Sequence, residues 1–333
     1  MPPPATSTHP PRHLVVRLRN WVGDVVLGVP ALRLLADHGH VLHLVGKGWA
    51  GPLLSGEGWT FEPLGANLQE RTSQLRRIRQ DCLKAEPTFN RRLNAITLPF
   101  SFSSALDMRL AGLRAAGYAH EGRSLLLSRA VQRRIEGHES LSYWRLACSF
   151  LGIEAPFPAS IDLKISPAHA AEAAALKAQR GVQAPYVMLA PFAGGTAEKL
   201  PKVWGHFPAL ATALRDRGHQ LLVVAGPGEE EFANAHFAAN STVITSTHLG
   251  VYAALLKGAQ LVIANDTGPG HLAAAVGART LSILGPTNAP RWKPWGQQVS
   301  VVQAPGRQWA DLAAVTAQAV QLLDVSPAMT VHG

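Results

Sequence analysis

Three short stretches hold the residues whose types and spacing could do chemistry. In the first, Asn265-Asp266-Thr267-Gly268-Pro269-Gly270-His271, a carboxylate, a hydroxyl, two glycines and an imidazole stand at the exit of the apolar run 261–264. A helix starting there would aim unpaired N–H groups and a partial positive charge at an anion such as phosphate. The second, 191–204, combines glycines and Thr196 with two lysines, Lys199 and Lys202. An ammonium beside a departing diphosphate stabilises the charge that develops on it. In the third, Asn20, Trp21, Gly23 and Asp24 follow the apolar run 14–18. A carboxylate at a strand-to-helix turn can lie near an incoming hydroxyl and accept its proton. Plainer roles stay open for each: helix capping for Asp24 and Thr267, solvation for the lysines, a simple turn for Gly23.

These loops need a scaffold, and the hydrophobic pattern supplies one. Strands are predicted at 14–18, 41–45, 60–63, 94–98, 186–190, 220–225, 261–264 and 280–284. Between them, periodicity near 3.6 predicts helices at 25–37, 68–84, 141–151, 168–179, 207–217, 248–257 and 310–323, with Pro30 predicting a kink in the first. Such alternation is the pattern of an α/β protein with two Rossmann-like, doubly wound parallel-sheet lobes, whose ligand loops lie at the strand C-terminal ends. The expected organisation is a loose tail over 1–12, an N-terminal lobe over 13–165, and a C-terminal lobe over 166–333 that ends in a closing helix. Ser101 and Ser104, after the strand at 94–98, are placed either to hydrogen-bond sugar or phosphate oxygens or to cap the following helix. Glu229, Glu230 and Glu231 either complement a helix dipole or hold ribose hydroxyls.

A chain of 333 residues, 47% of them apolar, is large enough for two domains with separate cores. Its net charge of +9 favours an anionic partner: nucleotide phosphates, a phosphorylated glycolipid or a membrane surface. Nucleic acid would suit the charge, but no zinc-finger spacing, RNP-like strand or basic heptad region accompanies it. Across 71–92, seven Lys or Arg face two acids, which makes either a solvated helix face or a contact for an anionic acceptor. Cys82 and Cys148 are far apart and form no C-x-x-C, so neither a disulfide framework nor a metal site is expected, and a reducing cytoplasm suits them. No apolar run is long enough to span a bilayer, which leaves peripheral contact with the inner-membrane surface. No G-x-G-x-x-G follows the first strand, which disfavours an NAD enzyme.

Taken together, the motifs resemble glycosyltransferase family 9, the heptosyltransferases of lipopolysaccharide synthesis. The likeness rests on R-x-x-N-W-x-G-D-x-V from Arg17, on D-T-G-x-x-H from Asp266 and on G-P-T-N-x-P from Gly285. L-P-x-S-x-x-S-A-L from Leu98 is similar to the heptosyltransferase II type in particular. Lys202-Val203-Trp204 fits the family's K-x-W-P, although Gly205 replaces the proline and Phe192 stands where glycine is common. The resemblance implies the GT-B architecture, two lobes facing a cleft, and transfer of heptose from ADP-heptose to an inner-core lipopolysaccharide acceptor, inverting and with neither cofactor nor metal. It implies Asp24 as general base, Lys202 rather than Lys199 at the diphosphate, and Thr196, Asp266, Thr267, Gly268 and His271 on the donor side. Asn20, Trp21, Ser101 and Ser104 fall on the acceptor side. Another sugar nucleotide, a protein acceptor as in autotransporter heptosylation, or a catalytically silent sugar-nucleotide-binding protein remain as alternatives.

Overall fold

The computed structural model describes residues 12–194, 196–197 and 200–324. Apart from Arg12, the expected tail lies outside these residues, and so does Lys199. The chain divides into two compact units, one ending at Pro158 and the other beginning at Ala159. This boundary precedes the expected one after residue 165. Ile161 and Leu163 are buried, and the Leu163 N–H donates to the Ala275 carbonyl at 2.7 Å, which ties the connecting segment to the second unit.

In the first unit, β1 (Arg12–Arg17), α1 (Val22–Asp37), β2 (His40–Gly46), α2 (Ala50–Leu54), β3 (Thr60–Pro63) and α3 (Leu68–Ala85) are followed by β4 (Ala95–Thr97), α4 (Phe102–Leu110), β5 (Ala115–Tyr118), β6 (Arg129–Val131) and α5 (Ser140–Leu151). Six parallel strands lie in the order β3-β2-β1-β4-β5-β6. The second unit runs α6 (Pro167–Gln179), β7 (Val187–Ala190), β8 (Thr196–Ala197), β9 (Leu200–Pro201), α7 (Phe207–Arg215), β10 (Leu221–Ala225), α8 (Glu230–Phe237), β11 (Thr242–Thr245) and α9 (Leu249–Lys257). It continues with β12 (Leu261–Asn265), α10 (Gly268–Ala275), β13 (Thr280–Ile283), α11 (Ala289–Trp292), β14 (Val299–Val302) and α12 (Leu312–Asp324). Its six-stranded sheet, β11-β10-β7-β12-β13-β14, repeats the topology of the first, and β8 and β9 form a separate antiparallel pair. In both sheets the strand order reverses between the first and fourth strands, and that switch point opens a crevice for ligands at the strand C-terminal ends.

The central strands explain why apolar runs rather than alternation marked them. β7, β10 and β12 are buried along their whole length, because helices cover both faces of a parallel sheet. The expected strands leave out β5, β6, β11 and β14, each only three or four residues long. β5 reads Ala-Ala-Gly-Tyr, and its Gly117 is required: a Cβ there would lie 2.8 Å from Thr97 Cγ2 and 2.9 Å from Arg123 Nη2. α1 runs as one helix of 16 residues with the buried Pro30 inside it. α12 turns Val315, Ala319 and Leu323 into the core shared with Leu210 and Leu214 of α7, closing the second unit.

Burial also gives the first unit a pH dependence. The His40 imidazole, on β2 and edge-on to Phe150 at 5.5 Å, is pushed down to about 4 by desolvation, with the nearby Arg92 charge adding to the effect. Its unfolded counterpart titrates near 6.5, so the unfolded chain binds more protons between these values. The stability due to neutral His40 is therefore complete above pH 6.5 and is lost as pH falls toward 4, by up to about 3 kcal/mol. Urea titrations of wild type and His40→Leu at pH 7 and pH 4.5 should show the smaller acid loss in the variant.

Candidate functional site

Asp24 occupies the first turn of α1, immediately beyond the C-terminal end of β1. One helical turn later stands Gly28, on the same face, where a Cβ would be 3.9 Å from the Tyr143 ring. α5 packs against α1 here, and the Tyr143 hydroxyl donates to Asp24 Oδ1 at 2.7 Å. Arg19 Nη2 lies 3.4 Å from Asp24 Oδ2. Burial and the neighbouring Asp24 charge hold the Tyr143 phenol well above its usual range, so it remains a hydrogen-bond donor. Desolvation works against the Arg19 charge, but the surrounding Tyr143 and Asp24 outweigh it and raise that guanidinium.

The turn before Asp24 is shaped from inside. Arg17 donates to the Leu18 carbonyl at 2.8 Å and to Asn20 Oδ1 at 3.3 Å, which accounts for an arginine three residues before an asparagine. Desolvation lowers the Arg17 guanidinium to about 10. Trp21, the residue before α1, is 64% exposed, an aromatic surface beside Asp24 with no core role. The two serines divide. Ser101 is exposed and caps α4, accepting from the Ser104 N–H at 3.4 Å. Ser104 is buried, and its hydroxyl donates to the Ser101 carbonyl at 2.8 Å and accepts from Thr97 Oγ1 at 3.2 Å, so its bonds go to the loop itself. Between β4 and α4, Phe100 carries Arg19 at 4.5 Å and Arg133 at 4.1 Å from its ring, and Arg133 pairs with Glu139 at 2.6 Å. Guanidinium groups over an aromatic ring are held by its electron-rich face.

In the second unit the corresponding crevice lies between β7 and β12. Trp204, fully buried, fixes the loop after β7: its backbone N–H donates to Asn265 Oδ1 at 3.0 Å and its indole N–H to the Ala310 carbonyl at 2.7 Å. Asn265 completes the clamp by donating to the Pro191 carbonyl at 2.6 Å. With Trp204 plugged into the core, Lys202 stands two residues upstream on the rim, Nζ 3.1 Å from Asp266 Oδ2. Asp266, 2% exposed, also accepts from the Thr287 hydroxyl. Thr287 is oriented in turn by Gln303, which donates to its carbonyl at 2.9 Å. Thr267 is the residue before α10 and its side chain makes no cap, so the amides of the first turn, from Gly268 on, keep their outward direction. Gly270 is needed for close packing, since a Cβ would approach the Asn265 carbonyl oxygen to 3.1 Å. His271 is buried within α10.

The sequence-predicted donor residues Lys202, Asp266, Thr267, Gly268 and His271 therefore gather around one strand-end crevice. The Thr196 side chain lies outside the described residues. The acids of the next loop have plainer work: Glu229 accepts from the Gly226 N–H at 2.8 Å and Glu230 from the Gly228 N–H at 2.7 Å, bracing the turn into α8. Burial raises the Glu229 carboxyl. Phe192, standing where glycine is common, packs edge-on to Phe232 and Phe237 of α8. Sequence reasoning missed Tyr143, Arg133 and the Thr287 contact. Thr287 sat inside a motif already singled out, whereas Tyr143 is 119 residues from Asp24 and carried no local signal.

Two doubly wound parallel sheets of identical strand order, each with its polar residues at the switch point, define the α/β fold of GT-B glycosyltransferases. The sequence profile of glycosyltransferase family 9 (heptosyltransferase) matches residues 93–318, and the chain belongs to that family. Among characterised relatives, lipopolysaccharide heptosyltransferase 3 of Escherichia coli K12 is 30% identical over 128 residues, 36% of each chain. The chain thus matches little more than a third of that relative's length. Among solved structures, Escherichia coli ADP-heptose lipopolysaccharide heptosyltransferase II superposes with a TM-score of 0.78 at 22% identity, over 94% of this chain and 98% of the other. Escherichia coli heptosyltransferase WaaC with ADP gives 0.69 at 22% identity, over 93% and 99%. At these identities the structural likenesses speak to the fold.

Proposed function

We propose that this chain is an inverting, metal-independent heptosyltransferase that moves heptose from ADP-heptose to an inner-core lipopolysaccharide acceptor. The observation that carries the reading is the Lys202 ammonium held at 3.1 Å from Asp266 at the second sheet's switch point, beside the open first turn of α10. A cation and backbone amides converging on one crevice suit a nucleoside diphosphate. Family membership and the ADP bound by a solved heptosyltransferase of the same fold support the choice of donor.

In this mechanism the acceptor hydroxyl attacks the anomeric carbon of the heptose from the face opposite the diphosphate. Its proton passes to Asp24, and the bond from the anomeric carbon to the diphosphate oxygen breaks with inversion. Lys202 and the Gly268 amide take the charge that appears on ADP, the Thr267 N–H being bound to the Asn265 carbonyl at 2.8 Å, while Asp266 holds Lys202 in place and orients sugar hydroxyls. Asn20, Trp21 and the exposed Ser101 receive the acceptor. Ser104 supports the Ser101 loop, and His271 supports α10. The enzyme works at the cytoplasmic face of the inner membrane; no helix among the described residues is long and apolar enough to cross a bilayer.

The test is direct. Purified protein given ADP-heptose and heptose-deficient lipopolysaccharide should release ADP in proportion to acceptor and add one heptose mass to it. Binding of ADP-heptose without acceptor-dependent release would instead identify a silent binding protein.

A further inference from the structure

The N-terminal end of the first sheet holds a cluster that the transfer chemistry does not use. Residues 13 and 15 of β1 share a face, and Val15 pairs with His43 of β2, so the side chains of His13 and His43 meet diagonally across the ladder. His13 Nδ1 and His43 Nε2 stand 2.8 Å apart, with ring centroids at 5.1 Å. α3 covers the same face, turning Leu75, Ile78 and Cys82 inward at helical spacing. One ligand atom from each of His13, His43 and Cys82 therefore falls within 4.8 Å of the other two.

We propose that His13 Nδ1, His43 Nε2 and Cys82 Sγ bind one zinc ion, with solvent as fourth ligand, and that the ion clips α3 to β1 and β2. Two imidazole nitrogens and a sulfur are a donor set for a borderline divalent cation. Tetrahedral zinc needs ligand atoms about 3.3–3.6 Å apart, given Zn–N near 2.0 Å and Zn–S near 2.3 Å. The two rings must part slightly and the thiol must draw in, adjustments within reach of side-chain rotation. Asp81, next to Cys82, adds a negative charge that both His43 and Cys82 experience. Without an ion, burial holds the Cys82 thiol up at about 12, so it is protonated. On binding, the S–H proton leaves to solvent as the Zn–S bond forms, both imidazoles enter neutral, and no electron moves. The four residue steps from His13 to Arg17 of β1 rise ~13 Å along the strand, so the ion lies at the sheet end opposite Asp24 and takes no part in transfer.

Cobalt(II) titration of the chelator-stripped full chain, kept reduced, tests the site. One Co²⁺ per chain should bind with tetrahedral visible bands and a thiolate-to-cobalt charge-transfer band, all discharged by one equivalent of Zn²⁺. Cys82→Ser should lose the charge-transfer band and weaken zinc binding ~100-fold, whereas Cys148→Ser should keep both. Zinc should raise the melting temperature of wild type and leave that of His43→Gln unchanged, which decides the matter if Cys82→Ser fails to fold. A wild type without the charge-transfer band, a band that survives Cys82→Ser, or a melting temperature indifferent to zinc would overturn the proposal.

Discussion

Asp24→Asn is expected to lower kcat/KM for heptosyl transfer by ~10²–10⁴-fold, the usual worth of a positioned general base. Asparagine is nearly isosteric and its carbonyl oxygen can still accept the Tyr143 hydroxyl now 2.7 Å from Oδ1, so α1 and α5 should keep their packing. What it cannot do is accept the acceptor's proton. A fall in kcat with little change in KM for ADP-heptose, measured by ADP release, is the expected result, because Asp24 does not belong to the donor crevice. Full activity in this variant would remove Asp24 from the mechanism. Tyr143→Phe keeps the carboxylate and deletes one of its hydrogen bonds, so it should fall between wild type and Asp24→Asn. A Tyr143→Phe loss as large as that of Asp24→Asn would instead assign the proton transfer to an Asp24–Tyr143 unit.

How far these residues could be read from sequence follows from where their partners lie in the chain. Asp24, Asp266 and Lys202 sit at strand exits, and strand exits are legible as the abrupt end of a buried apolar run. Their order along two successive α/β patterns was enough for the class of fold. Invisible were interactions made between elements distant in sequence. Tyr143 reaches Asp24 from a helix 119 residues further along the chain, and nothing within a window of ten residues announces that. Ser104 looked as available as Ser101 until its hydroxyl proved to be spent on Thr97 and its own loop. The cysteine count suggested no metal ligands because the relevant thiol is grouped with histidines from two strands, at 13 and 43, rather than with a second cysteine. β5 was unreadable for another reason: Ala-Ala-Gly-Tyr has little intrinsic strand preference and is held in the sheet by its neighbours.

Lys202→Met should reduce kcat by ~10²–10³-fold, the effect of deleting one preorganised stabiliser of developing charge. The loss has two possible origins, since Lys202 is also the cationic partner of an almost fully buried carboxylate. Removing one member of a buried pair strands the other, at a cost of about 3–5 kcal/mol, and the crevice could deform for that reason alone. Removing both members together avoids the stranded charge. If the lysine matters only as a partner for Asp266, the double variant Lys202→Met/Asp266→Asn should recover both the melting temperature and most of the activity, a large coupling between the two sites. If Lys202 neutralises the leaving diphosphate, the double variant should regain stability while kcat stays as low as in Lys202→Met, because the ammonium 3.1 Å from Asp266 is still missing. We expect the second result. Recovery of kcat in the double variant would reassign Lys202 from catalysis to the structural support of Asp266, and the diphosphate would then be left to the amides of α10 alone.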